Sequence, residues 1–548
     1  MPGGMEYVTL AARKGARAAL AAVLAATFGA TLASGALAAS KTLIYCSEGS
    51  PEGFDPAPYT SGTTHDASAK PVYNRLVEFE RGETRVVPGL AERWDVSGDG
   101  LEYTFHLRRG VKFHKTPFFT PTREFNAQDV LFSFERQRQK DHPWHRYMPG
   151  LNYEYFDSMD MPAMIRDIVA VDDYTVKFVL SRPTAPFLAN LAMVHASIMS
   201  KEYADGLAAA GTPEKLNLAP VGTGPFVFVA YQKDAVVRFR ANADYWAGKS
   251  PLDNLVFAIT PDASVRMQKL KAGECHVAPY PAPADIAALK ADPKLKVDEQ
   301  PGLNIAYLAF NTLTPPFDKP EVRRAIEQAI NKRAVIDAVF QGFGQVAVNP
   351  IPPTMWSYND KVADNAYDPA AARKALDAAG VSGLSTKVWA MPVSRPYMPN
   401  ARRAAELVQA DLAAVGIKAD IVSMEWGEYL KKATAKDRDG IAMLGWTGDN
   451  GDPDNFLGTL LSCAGVGSQN HAQWCNQSFE ALVQQAKTLT DKAERTRLYE
   501  EAQALFKQEA PWVTLAHSTA YLPMSVKVTG YRMDPFGLHS FDGVDLAP

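Results

Sequence analysis

One short stretch carries the side chains best suited to hold a small charged molecule: Gly445-Trp446-Thr447-Gly448-Asp449-Asn450-Gly451-Asp452-Pro453-Asp454-Asn455. It follows an apolar run, Ile441-Ala442-Met443-Leu444, which predicts a short buried strand. The chain then breaks into glycine, aspartate and asparagine, the residues of turns. Trp446 and Asp449 are therefore expected just past the carboxyl end of a strand, the edge at which open α/β sheets bind ligands. There Trp446 would form a wall and Asp449 would grip a positive group. The plainer reading is a polar turn whose acids bond their own backbone.

A second charge leaves a second strand. Residues 386–390 predict a strand, and residues 391–400 a loop containing Arg395-Pro396-Tyr397. Residues 401–415 predict a helix stopped by Gly416, and residues 417–423 the next strand. This strand–helix–strand unit places Arg395 at the same kind of edge as Asp449. Opposite charges at one edge make a candidate clamp for a zwitterion, with a surface ion pair as the plainer reading of Arg395. Thr60-Ser61-Gly62-Thr63-Thr64 is a third candidate, because small hydroxyls and a glycine let a ligand approach the backbone; the alternative is an ordinary surface loop.

The elements that must position these groups form distinct blocks. Residues 41–45 predict a strand leading to a turn-rich loop over 51–64. Tyr103, Phe105 and Leu107 alternate with polar residues, as do Tyr174, Val176, Phe178 and Leu180, and Asn126 caps a helix between them. From Gly222-Thr223-Gly224-Pro225 to Ile259, strand-formers follow one another closely, as in antiparallel sheet. The style changes near 301: residues 303–310 predict a strand, and Pro320 starts a helix at its first position. Residues 511–522 are apolar and are expected to return to the first domain.

The 548 residues allow roughly three or four domains. Arg13, Lys14 and Arg17 against Glu6 make the first 40 residues two positive, so the remaining chain carries about −6 of the net −4. That disfavours a nucleic-acid partner. The same 40 residues have a basic start, an uncharged apolar run over 18–32 and small residues near Ala38, which together predict a cleaved export signal. No later run is long and apolar enough to span a membrane. Four cysteines in an exported chain suggest two disulfides, with three pairings open. Cys463 with Cys475 is the natural local pair, which would leave Cys46 with Cys275. Their spacing to His276 and His471 matches no common zinc pattern. No nucleophile elbow, Ser-x-x-Lys or His-Glu-x-x-His occurs in the mature chain, and Gly248-Lys249-Ser250 lacks the upstream glycine of a phosphate loop. His142-Pro143-Trp144-His145 reads as loop histidines. Nothing demands catalysis, and no cofactor is expected.

With these residues in hand, residues 41–548 resemble the periplasmic dipeptide-binding proteins of bacterial ABC importers, within family 5 of the extracellular solute-binding proteins. The resemblance rests on Lys41-Thr-Leu-Ile-Tyr-Cys46-Ser-Glu-Gly-Ser-Pro-Glu-Gly-Phe54, Gly222-Thr-Gly-Pro-Phe226, Thr260-Pro-Asp-Ala-Ser-Val-Arg266, Ile351-Pro-Pro-Thr-Met-Trp356, Glu425-Trp-Gly-Glu-Tyr-Leu430 and the Gly445–Asn455 stretch. It implies an α/β, two-lobed periplasmic-binding-protein fold of the large class, closing on ligand about a hinge. The implied division is a signal peptide over 1–40, a first lobe over 41–75, 220–300 and 520–548, an inserted subdomain over 76–219, and a second lobe over 301–519. Asp449 would bind a peptide's α-ammonium and Arg395 its α-carboxylate. Thr60, Pro396, Tyr397 and the Trp446-Thr447-Gly448 segment would complete the site, and the disulfides would be Cys46–Cys275 and Cys463–Cys475. The implied partners are a dipeptide and an ABC permease, with a chemoreceptor left open, and the implied state is a periplasmic monomer. Rival readings are the same scaffold holding haem, 5-aminolevulinate or a nickel chelate, a periplasmic metal-dependent peptidase, and a chaperone-like binder of unfolded chains.

Overall fold

The computed structural model describes residues 40–381, 383–424 and 426–548; the predicted export signal, apart from Ser40, lies outside them. Two large apolar cores organise these residues. One draws on residues 303–516. The other draws on residues 43–277 and again on 522–544, so its lobe is built from separated stretches of chain.

In the lobe that holds the N-terminal strand, the sheet order is Thr42–Ser47, Asn254–Ile259, Val236–Ala241, Phe226–Gln232. The first pair is parallel and the others antiparallel, as the close succession of strand-formers predicts. A second four-stranded sheet runs Ala91–Val96, Glu102–Leu107, Thr175–Leu180, Ile165–Asp172, antiparallel throughout. Tyr103, Phe105 and Leu107 are buried while their neighbours are half-exposed, which is the alternation of a strand with one face on a core. Against this sheet lies the helix Ala127–Arg138, closed at its start by a capping box between Asn126 and Asp129.

The other lobe is a seven-stranded mixed sheet. Ser385–Trp389 runs parallel to both Lys418–Val422 and Ile441–Thr447. Asn304–Ala309, buried at every position, runs antiparallel to Ile441–Thr447 on one side and to Trp512–Ser525 on the other. The helix Ala401–Ala414 joins the two parallel strands Ser385–Trp389 and Lys418–Val422, and the chain leaves it through Gly416 at φ +85°. Pro320 opens the helix Pro320–Ala329 at its first turn.

Two expectations need correction. The strand expected to stop at Leu444 continues to Thr447, because Gly445, Trp446 and Thr447 pair with Ala306, Ile305 and Asn304. Trp446 therefore lies on the strand, and only Gly448 and Asp449 lie beyond it. The apolar run 511–522 does not simply return to the first lobe. It belongs to one 14-residue strand whose first half pairs with Asn304–Ala309, and whose second half pairs with Leu295–Pro301 and bridges Val277 at Met524. Trp512 holds the first half in place: it is 1% exposed and stacks on Tyr307 with centroids 3.8 Å apart.

Both disulfides form, Cys46–Cys275 and Cys463–Cys475. The first closes a sequence separation of 229 residues and the second only 12. Restricting the unfolded chain should stabilise by about 3 kcal/mol for a short loop and nearer 5 kcal/mol for a long one. Cys46→Ser/Cys275→Ser should therefore lower the urea midpoint more than Cys463→Ser/Cys475→Ser. Equal losses, or the reverse order, would contradict a chain-entropy origin.

Candidate ligand-binding site

The register of two strands builds the site. Ser385–Trp389 and Ile441–Thr447 are neighbours and parallel, with Val388 opposite Ile441 and Trp389 opposite Ala442. The loops that follow them, carrying Arg395 and Asp449, thus leave the same edge of one sheet from adjacent positions. Gly445 allows the two to meet: a Cβ there would fall 2.2 Å from the Tyr397 ring, so only a residue without a side chain lets that ring lie on the strand. Gly448 donates its N–H to Leu303 O at 2.8 Å, and a Cβ there would fall 2.7 Å from the Phe456 ring.

The acids of the turn are not equivalent. Asp452 pairs with Arg495 at 2.8 Å and Asp454 with Lys487 at 3.0 Å. Asp449 has no cation within 4 Å among the described residues; its oxygens meet Tyr155 Oη, which donates at 3.3 Å, and Asn455 Nδ2, which donates at 3.3 Å. Burial pushes its carboxyl up to about 7, and the hydrogen bonds from Asn455 and Tyr155 act against that rise. Tyr155 belongs to the other lobe, in the helix Glu154–Ser158, so Asp449 lies where the lobes meet.

Arg395 is also without a counter-charge: among the described residues no carboxylate lies within 4 Å. It is half-buried, its backbone N–H and C=O are bonded to Met398, and its guanidinium stands 5.2 Å from the Trp426 ring. Tyr397 is buried, and that burial pushes its phenol up to about 12 against the pull of Arg395. Arg395 also acts electrostatically on Tyr280 of the other lobe.

The structure brings Arg395, Tyr397, Trp446, Thr447, Gly448 and Asp449 to one edge, with Pro396 exposed at its rim. Thr60 is exposed on the other lobe, just before the helix Gly62–Ala67, and no hydrogen bond joins it to the Arg395 or Asp449 loops among the described residues. Tyr155, Tyr280, Trp426 and Asn455 were not singled out from sequence. Asn455 ends the turn-rich stretch and could have been found by asking what orients Asp449. Tyr155 gives no local signal, since it meets Asp449 across 294 residues. The His142 and His145 rings bond backbone, to Trp144 N–H at 3.1 Å and Arg136 O at 2.9 Å. No cluster of three His, Cys, Asp or Glu side chains able to hold a metal occurs among the described residues.

Two lobes with opposite charges on adjacent loops at their junction, neither with a counter-charge within 4 Å among the described residues, define the class as a two-lobed solute-binding protein. The chain belongs to the bacterial extracellular solute-binding proteins, family 5, whose model matches residues 85–468. It is 55% identical to the dipeptide-binding protein of Escherichia coli K12 over 92% of this chain and 95% of that one. It is 48% identical to haem-binding protein A of Haemophilus influenzae, covering 92% of each. A dipeptide-binding protein from Pseudoalteromonas sp. SM9913, solved in complex with Met-Leu, superimposes with a TM-score of 0.82 at 40% identity, covering 92% of this chain and all of that one.

A half-buried acid with no cation within 4 Å among the described residues should weaken the unliganded fold as it ionises. Its folded value of about 7 lies above the unfolded carboxylate value, so stability falls as pH rises between them. Asp449→Asn should therefore be more stable than wild type at pH 8, by about 1–3 kcal/mol, and no more stable at pH 4. Urea unfolding of ligand-free protein at both pH values reads this directly; a mutant less stable at pH 8 would contradict it.

Proposed function

We propose that this chain is an exported receptor that captures dipeptides by their two charged termini and delivers them to the permease of an ABC importer. The observation that carries the reading is the pair of loops on adjacent parallel strands, one carrying an acid and one a guanidinium, each without an ion-pair partner among the described residues. Neighbouring strands are about 4.8 Å apart and a dipeptide spans at most about 7 Å, so loops rooted there match a ligand of that length. In this reading Asp449 takes the α-ammonium and Arg395 the α-carboxylate, which suits its paired donors. Trp446, Thr447 and Gly448 line the peptide backbone, Pro396 and Tyr397 shape the carboxylate end, and Thr60 closes from the other lobe. The lobes divide at 301 and 519, with 76–219 inserted in the first, and they close about that hinge. Directional bonds go to termini and backbone, so side-chain selectivity is loose. The receptor acts as a periplasmic monomer without a cofactor.

A relative named for haem binding keeps a second cargo in view on the same scaffold. The two are separated by titration of ligand-stripped protein: dipeptide by calorimetry, haem by absorbance. Wild type should bind a free dipeptide tightly and its N-acetylated and C-amidated forms poorly. Asp449→Asn leaves the bound ammonium unpaired and should cost about 2–5 kcal/mol, a loss of roughly 30- to several-thousand-fold. Equal binding of the blocked peptides would sink the assigned roles. A haem spectrum with no dipeptide heat would favour the second cargo.

A further inference from the structure

We propose that Asn455 is the positioning residue of this site: it locks Trp446 and Asp449 into one unit and supplies the second lobe's own hydrogen bond to the Asp449 carboxylate. The inference rests on the reading of Asp449 as the ammonium anchor. Asn455 lies in the first turn of the helix Asp454–Leu461 and is 3% exposed. Its Oδ1 accepts from Trp446 Nε1 at 3.0 Å and from Asp449 N at 2.9 Å. Both partners are donors only, so chemistry fixes which end of the amide is oxygen. The Nδ2 must then face Asp449, and it stands 3.3 Å from Oδ2. One amide thus ties a ring on the strand to an acid on the loop.

Asparagine is the residue this task requires. Aspartate could accept both N–H groups but would set a second carboxylate against Asp449, and two such groups share a proton rather than both ionise. Serine is too short to span three partners, and an apolar residue would leave the half-buried indole N–H and Asp449 amide without their acceptor. The helix is itself anchored, through the Asp454–Lys487 ion pair and through Phe456 against Gly448. Two consequences follow. The only side-chain hydrogen-bond donor of Trp446 is already used, so its indole offers a ligand an apolar face and no hydrogen bond. The donor from Asn455 comes from Asp449's own lobe, whereas the donor from Tyr155 comes from the opposite lobe and depends on closure.

The groups around Asp449 make the effect readable against pH. Tyr155 faces it from the other lobe and Asn455 from its own, and no cationic side chain lies within 4 Å among the described residues. Behind Tyr155 the His65 and His195 rings each lie 6.1 Å away, and burial lowers them to about 4 and about 3, so both are neutral near pH 7.

The test titrates L-alanyl-L-alanine and its N-acetyl form into the mature chain, as wild type, Asn455→Asp and Asn455→Ala, between pH 6 and 8.5. Circular dichroism and melting check the fold. Asn455→Asp keeps both accepted bonds, loses the donor and adds a carboxylate beside Asp449. It should bind L-alanyl-L-alanine at least roughly tenfold more weakly at pH 7, with the acidic limb of its affinity profile moved up by about one pH unit. If Asn455 only supports the fold, folded Asn455→Ala, which loses the donor without adding a charge, will keep the wild-type affinity and acidic limb, and the proposal is overturned. Should Asn455→Ala not fold, the acidic limb of Asn455→Ser, too short to reach Asp449, decides: displaced upward supports the role, unmoved overturns it. Wild type that binds the N-acetyl form as well as the free dipeptide removes the anchor role of Asp449, a failure distinct from that of Asn455.

Discussion

A carboxylate held where the lobes meet, with no counter-charge within 4 Å among the described residues, is the constraint on which the site depends. Burial alone would keep Asp449 protonated, and the protein opposes burial with two neutral donors rather than a cation. A resident Arg or Lys would ionise the acid fully but would also occupy the position a ligand's ammonium must take. The neighbouring acids show the alternative, since Asp452 and Asp454 have Arg495 and Lys487 and hold the turn together. One loop thus separates its structural acids from the one left available.

The sheet around this loop follows from the same need. Parallel neighbours place Arg395 and Asp449 at one edge, and glycines at 445 and 448 let Tyr397 and Phe456 pack where a Cβ would collide. The long strand Trp512–Ser525 and the pair Leu295–Pro301 and Asn304–Ala309 carry the chain between the two cores. Closure then brings Tyr155 from one lobe to Asp449 on the other.

Much of this was legible in the residues because periodicity and caps are local. The alternation at Tyr103, Phe105 and Leu107, the Asn126 cap and the strand–helix–strand unit around Arg395 are all formed as read. The end of the Trp446 strand was misread because Gly445 looks like a breaker, while its pairing partners lie near residue 305, far away in sequence. Similarly, the turn around Asp449 gives no hint which acid stays unpaired, since the cations at 487 and 495 arrive on other helices. Asn455 was in view as part of the stretch, but its three hydrogen bonds depend on how the helix folds back over the strand.

The most direct test of the anchor is the proton balance of binding. A carboxyl near 7 that must ionise to meet an ammonium should release roughly half a proton when a dipeptide binds at pH 7. Calorimetry of dipeptide binding in phosphate and in Tris, whose ionisation enthalpies differ widely, measures that release as a buffer-dependent heat. The account predicts net proton release in wild type and its disappearance in Asp449→Asn. Binding heats that are the same in both buffers for wild type would contradict it.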